Sequence, residues 1–252
     1  MAHKHILRTR FKKEIVAEFL PPIKPSNKVI ILLAGVPSIP EKEEVIRFLS
    51  KAGYWVFFPR YRGSWESDGK FLDKSPTRDV LDIIDQLPKG FKNLWKNETI
   101  KLKPEEIFII GSSFGGAASI LASLDSRVKK SIALSPVIDW RSRTKTNEPL
   151  EKIIRFIKIG FGQAYRPISP NVWRKLKQGE FYNPMAQTKK IDGRKIMIIH
   201  CQNDKITPFE DSKKFAKTTR AKLLSFKTGS HFSLSDILRP AIFRQVNTFF
   251  KK

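Results

Sequence analysis

The chain has 252 residues, with 48 Lys or Arg against 24 Asp or Glu, a formal net charge of +24. A hydrophobic content of 40% with 29% charged residues is that of a globular chain able to bury a substantial core, rather than a disordered or membrane one. No apolar run reaches bilayer-spanning length, no apolar segment follows Met1-Ala2-His3-Lys4-His5, and Cys201 is the only cysteine, so no membrane span, secretory signal or intrachain disulfide is expected and a cytoplasmic setting fits.

In chain order, His5 to Lys12 and Glu14 to Leu20 alternate apolar and polar residues, which predicts an antiparallel hairpin turning at Lys12-Lys13. Prolines at 21, 22 and 25 then break the chain. Lys28 to Leu33 is a continuous apolar run suited to a strand covered on both faces. Glu41 to Ala52 reads as a helix, Tyr54 to Pro59 as a buried strand, and Arg60 to Ser75 as a polar loop. Val80, Leu81, Ile83, Ile84 and Leu87 have helical spacing over Thr77 to Leu87. Ile107 to Ile110 is a strand, Phe114 to Leu124 a helix and Lys130 to Leu134 a strand. The pattern resumes with a strand at Lys195 to His200, a helix at Glu210 to Thr219, a strand at Lys222 to Phe226 and a helix from Leu234 to Phe250.

This alternation predicts an α/β fold: a mostly parallel, doubly wound sheet with an antiparallel N-terminal hairpin, forming one domain over residues 1–252. Residues 139–191 interrupt it with aromatics, prolines and basic residues. That stretch exceeds an ordinary connection, so it is expected to be a small helical cap inserted over the site.

Between the Ile107 strand and the helix after it stands Gly111-Ser112-Ser113-Phe114-Gly115, a G-x-S-x-G pattern in a strand-turn-helix setting. Only Ser113 fits the serine position of that frame. The turn requires a strained serine backbone and neighbours without bulk, and it places the serine hydroxyl at a helix N-terminus that favours developing negative charge. A serine needs a base, and the base an orienting acid. Asp204 lies on the turn after the Lys195–His200 strand, and His231 on the Gly229-bearing loop after the last strand. Of the other histidines, His3 and His5 are near the terminus, and His200, at a strand end, reads as a satisfied structural group. Backbone N–H groups of Phe114 and of Val36, with Gly35 as fallback, are the expected oxyanion donors, because Pro37 has none.

With these residues the chain resembles the α/β-hydrolase superfamily, and within it small serine hydrolases of the prolyl-oligopeptidase, dienelactone-hydrolase and serine-aminopeptidase groups. Tyr61-Arg62-Gly63-Ser64-Trp65-Glu66-Ser67-Asp68-Gly69 is similar to the YRGxGxSxG loop of those groups, and Asp204 with Ile206-Thr207-Pro208 to their acid turn. Ala34, Trp65 and Cys201 depart from the common His, Gly and Gly at their positions. The resemblance implies a triad of Ser113, Asp204 and His231, oxyanion donors Phe114 and Val36, and no metal or cofactor. It implies carboxylesterase-like hydrolysis through an acyl-enzyme. A peptidase of aminopeptidase or oligopeptidase type is the alternative, and an acyltransferase or a non-catalytic binding module on the same fold ranks lower. The lysines are scattered rather than gathered in an arm, so a small ester or peptide is the expected partner, with no specific nucleic-acid site and at most weak adsorption to anionic surfaces.

Overall fold

A computed structural model describes residues 5–145, 149–166 and 170–252; residues 1–4, His3 among them, and 146–148 and 167–169 of the expected insertion lie outside the described residues. Strands β1 (Leu7–Phe11) and β2 (Ile15–Leu20) form the predicted hairpin, with Lys12 and Lys13 in left-handed conformations at its turn. Then follow β3 (Lys28–Leu33), α1 (Glu43–Lys51), β4 (Trp55–Pro59), α2 (Pro76–Gln86), β5 (Phe91–Asn93), β6 (Glu98–Ile100), β7 (Glu106–Ser112), α3 (Phe114–Ala122) and β8 (Val128–Leu134). The chain continues through α4 (Leu150–Phe156), α5 (Pro170–Gln178), β9 (Ile196–Cys201), α6 (Phe209–Thr219), β10 (Lys222–Phe226) and α7 (Pro240–Phe250).

Among the described residues, eight strands form one sheet in the order β1-β2-β4-β3-β7-β8-β9-β10, parallel from β4 to β10 and antiparallel at the β1-β2-β4 edge. This is the α/β-hydrolase architecture. The apolar runs of β3 and β7 lie at its centre because both faces are covered. Along β3, Val29, Ile31 and Leu33 face the core under α2 and α3, while Ile30 and Leu32 face the core under α1 and α7. In a parallel sheet the strand C-termini gather on one side, and loops there are the usual seat of a site.

Two features depart from the sequence expectation. The last helix does not run from Leu234: a 3-10 turn covers Leu234–Leu238, and α7 begins at Pro240, whose missing N–H suits a first helical position. The β5–β6 hairpin had no periodic signal, its strands being three residues each. The described residues of 139–191 are largely helical and are tied to the neighbouring loops and to the start of α3. Tyr165 accepts from the Ser38 N–H at 3.0 Å, Trp65 N donates to Ala164 O at 2.7 Å, and Tyr182 donates to Phe114 O at 2.6 Å. Trp65 itself takes a left-handed φ of 48°, a conformation natural to the glycine common at this point. Its ring packs edge-on against Phe161 and Tyr165, contacts that hold it there.

The Arg60–Ser75 loop is held by buried Arg62, with buried Arg60 at its start paired to Glu18 at 3.1 Å. Arg62 donates to Glu14 at 2.5 Å, to Asp82 at 2.6 Å and to Asp79, which also accepts the Arg62 backbone N–H at 2.9 Å. The adjacent Tyr61 hydroxyl donates to Ala34 O at 2.8 Å, and its ring packs edge-on against Phe114. Arg62 therefore anchors the loop that packs on the start of α3. Burial pushes the Asp79 carboxyl up to about 6 despite its bonds to Arg62. A carboxyl raised in the folded state favours the fold while protonated; that contribution is complete below the ordinary value near 4 and lost as pH climbs through about 6. Arg62→Ala is expected to cost about 3–5 kcal/mol at pH 8, where it strands ionised Asp79 while Asp82 keeps Arg78 at 2.5 Å, and clearly less at pH 5. Urea unfolding at the two pH values measures this, and an equal cost at both would contradict it.

Candidate active site

Ser113 stands between β7 and α3 with φ 52° and ψ −115°, a strained conformation for a residue with a side chain. The strain follows from how closely the helix approaches the sheet. A Cβ on Gly111 would lie 2.1 Å from Gly115 O, one on Gly115 2.3 Å from Leu33 O, and one on Gly116 2.7 Å from Pro136 Cβ. Ser113 is pinned on both sides: its N–H donates to Leu134 O at 2.8 Å, and its carbonyl accepts from Val137 N at 3.0 Å. Its side chain is half-buried on the wall of a cavity of about 540 Å³.

His231 lines the same cavity, and behind it lies Asp204. Asp204 Oδ2 is 2.8 Å from His231 Nδ1, 3.0 Å from His200 Nε2 and 3.0 Å from Thr207 Oγ1, while Oδ1 accepts the N–H groups of Ile206 and Thr207 at 2.8 and 3.1 Å. Its side chain is fully buried. Burial alone would raise its pKa, but the hydrogen bonds from His200, His231 and Ile206 outweigh that and hold the carboxyl far below the usual carboxylate range. An ionised acceptor fixes the tautomers from the partners. His231 donates through Nδ1, so in its neutral form Nε2 is the accepting nitrogen. His200 donates through Nε2 and accepts at Nδ1 from the Ser212 hydroxyl at 2.8 Å.

The acid and base loops meet at Ser135, just past β8. Its hydroxyl accepts from Phe232 N at 3.0 Å, and its carbonyl lies 3.1 Å from the Thr207 hydroxyl. Cys201 also supports the base loop, since a side chain at Gly229 would meet its sulfur at 2.3 Å. Burial pushes that thiol's pKa up.

All five residues singled out from the sequence thus converge. Ser113, His231, Phe114 and Val36 line one cavity, and Asp204 holds His231 from behind. The Phe114 and Val36 N–H groups have no acceptor among the described residues, and no hydrogen bond joins Ser113 to His231. Gly35, the fallback donor, packs against the serine, its Cβ direction 3.3 Å from Ser113 Cβ. The cavity's opposite wall comes from the helical insertion: Trp140, Leu150, Ile153, Phe156, Ile157 and Trp173. Sequence reasoning did not single out Ser135, took Thr207 only as part of the acid turn, and gave His200 a structural place without its bond to Asp204. The one usable signal was that His200 ends a strand only four residues before Asp204, close enough for the two side chains to meet.

A profile of the prolyl oligopeptidase family matches residues 42–252. Among solved structures, the Pyrococcus furiosus esterase Pf2001 superposes with a TM-score of 0.69 at 20% identity, covering 99% of this chain and 91% of the other. An acylaminoacyl peptidase from Pyrococcus horikoshii gives 0.68 at 18% identity over 98% of this chain and 42% of the longer one. Est1E of Butyrivibrio proteoclasticus, in a structure with ferulic acid bound, gives 0.65 at 20% identity over 97% and 99%. No curated protein matches the sequence. The chain belongs to the prolyl oligopeptidase family, serine hydrolases of the α/β-hydrolase fold.

Asp204 carries a pH signature. A carboxyl depressed in the folded state stabilises the fold in its ionised form; that contribution is present above the ordinary value near 4 and lost as pH falls below it. Between pH 4 and pH 3 the stability of the native protein is expected to fall by about 0.9 kcal/mol more than that of Asp204→Asn, an average of about 0.7 proton taken up on unfolding, with the limiting slope of about 1.4 kcal/mol per unit reached only below pH 3. Parallel profiles in urea titrations at pH 3, 4 and 6 would show that Asp204 is not held ionised by the fold.

Proposed function

We propose that this member of the family is a serine hydrolase that cleaves carboxylic esters through an acyl-enzyme on Ser113. The observation that carries the reading is the His231 Nδ1 to Asp204 Oδ2 bond of 2.8 Å, which turns Nε2 of the neutral imidazole to the acceptor role on the cavity that a strained serine also lines. His231 Nε2 takes the Ser113 proton as Oγ attacks the acyl carbon, and the resulting oxyanion accepts from the N–H groups of Phe114 and Val36. The tetrahedral intermediate collapses as His231 passes that proton to the leaving alkoxide. A water, deprotonated by the same nitrogen, then attacks the acyl group, and Ser113 leaves with the proton restored. Asp204 keeps the imidazole in its Nδ1–H tautomer and stabilises the imidazolium formed in each half-reaction.

In this reading residues 1–252 act as one hydrolase domain, with 139–191 as its cap. The chemistry uses only groups of the chain, so no metal or cofactor is called for. The likeness to an acylaminoacyl peptidase makes N-acylated peptides a second substrate class.

Hydrolysis of p-nitrophenyl esters tests the proposal. Ser113→Ala is expected to lower kcat by at least about 10⁴-fold, while Ser112→Ala continues to turn over. Ester hydrolysis by Ser113→Ala within about tenfold of the native rate would sink the assignment.

A further inference from the structure

We propose that the cavity beside Ser113 selects esters in which an apolar group is joined to an anionic one, a carboxylate or a phosphate held by Lys42 and Lys152, and disfavours substrates bearing a free ammonium group. The inference rests on the hydrolase reading above and deepens it to a substrate class.

The charges on the cavity wall are of one sign. Lys42 and Lys152 line it, and no Asp or Glu does among the described residues. Lys42 lies just beyond the Val36–Ser38 loop, on the sheet side, and Lys152 on α4, on the insertion side. Neither ammonium has a carboxylate within 4.0 Å among the described residues, whereas Arg62, Arg127 and Lys129 all do. Lys42 is half-buried; its Nζ donates to the Glu41 carbonyl at 2.9 Å, which leaves two of its three protons to give. Burial lowers its pKa; the carboxylate of the neighbouring Glu41, beyond ion-pair distance, partly opposes this, and the charge of nearby Arg60 works with burial. A bound anion would relieve both effects. The apolar surface of Trp140, Leu150, Ile153 and Phe156 leaves the rest of the cavity suited to hydrocarbon. A substrate ammonium would enter this space with no carboxylate to meet it, which is discrimination by repulsion.

The net charge of +24 attracts any anion at long range, so the test has to separate the two lysines from the general field. Four p-nitrophenyl esters of matched length serve as probes: those of hexanoic, adipic, 6-phosphonohexanoic and 6-aminohexanoic acid. The native protein is expected to favour the adipate and phosphonate esters over the amino ester by about tenfold in kcat/KM. The larger of the two anionic values tells carboxylate from phosphate. In Lys42→Gln/Lys152→Gln the preference should collapse to within about twofold, although net charge falls only from +24 to +22. Lys152→Glu, at an exposed position, should move the ratio the same way in a single step. A native ratio near one, or a preference that survives in both variants, overturns the inference while the neutral hexanoate is still hydrolysed. No hydrolysis of any ester overturns the hydrolase reading, and this inference with it.

Discussion

The approach of α3 to the ends of β3 and β7 is the constraint on which the site depends. The helix begins so close to the sheet that Gly115 rests on the Leu33 carbonyl and Gly111 on the Gly115 carbonyl, with no room for a methyl group at either contact. That crowding leaves Ser113 the left-handed turn it occupies, a conformation that costs on the order of 1–3 kcal/mol. The surroundings offset it. Every residue of α3 is buried, and small residues (Gly115, Gly116, Ala117, Ala118) let it sit between β7, β8 and α2. The same geometry lifts the serine side chain into the cavity and leaves the Phe114 N–H without an internal acceptor.

A second constraint is electrostatic and lies one layer deeper. A fully buried Asp204 is tolerable only because its oxygens are saturated: two histidines and Thr207 surround Oδ2, and two backbone N–H groups serve Oδ1. His200 is part of that saturation and is itself satisfied by Ser212. Ser135 joins the loops of Asp204 and His231, so the acid and the base are held by one another and by the end of β8. In the proposed mechanism this network orients His231 before substrate arrives, and the expected loss of stability below pH 4 is its thermodynamic counterpart.

Much of this was legible in the sequence, and the legible parts share a physical character. The buried runs of β3, β4, β7 and β9 and the spacing of α2 are local patterns imposed by covered faces. The elbow is local too, because the turn dictates small residues two before and two after the serine. What stayed hidden depends on contacts between distant positions. The Ser135 hydroxyl meets the Phe232 N–H across 97 residues of chain, and nothing near Ser135 announces it. His200 was read as a structural histidine from its place at a strand end; it is buried as expected, yet its Nε2 faces Asp204. The extent of α7 was misjudged for a simpler reason: apolar spacing continued back through Leu234, and Pro240 as a helix start was overlooked.

The most direct measurement of the central claim is the mass of the protein acid-quenched during turnover of a slow ester, followed by peptide mapping. A covalent acyl adduct on one protein equivalent, localised to Ser113 and absent from Asp204→Asn over the same interval, is the result predicted by a strained serine activated by an Asp-held histidine. Turnover without an adduct, or an adduct localised to Ser112 or any other side chain, would contradict it.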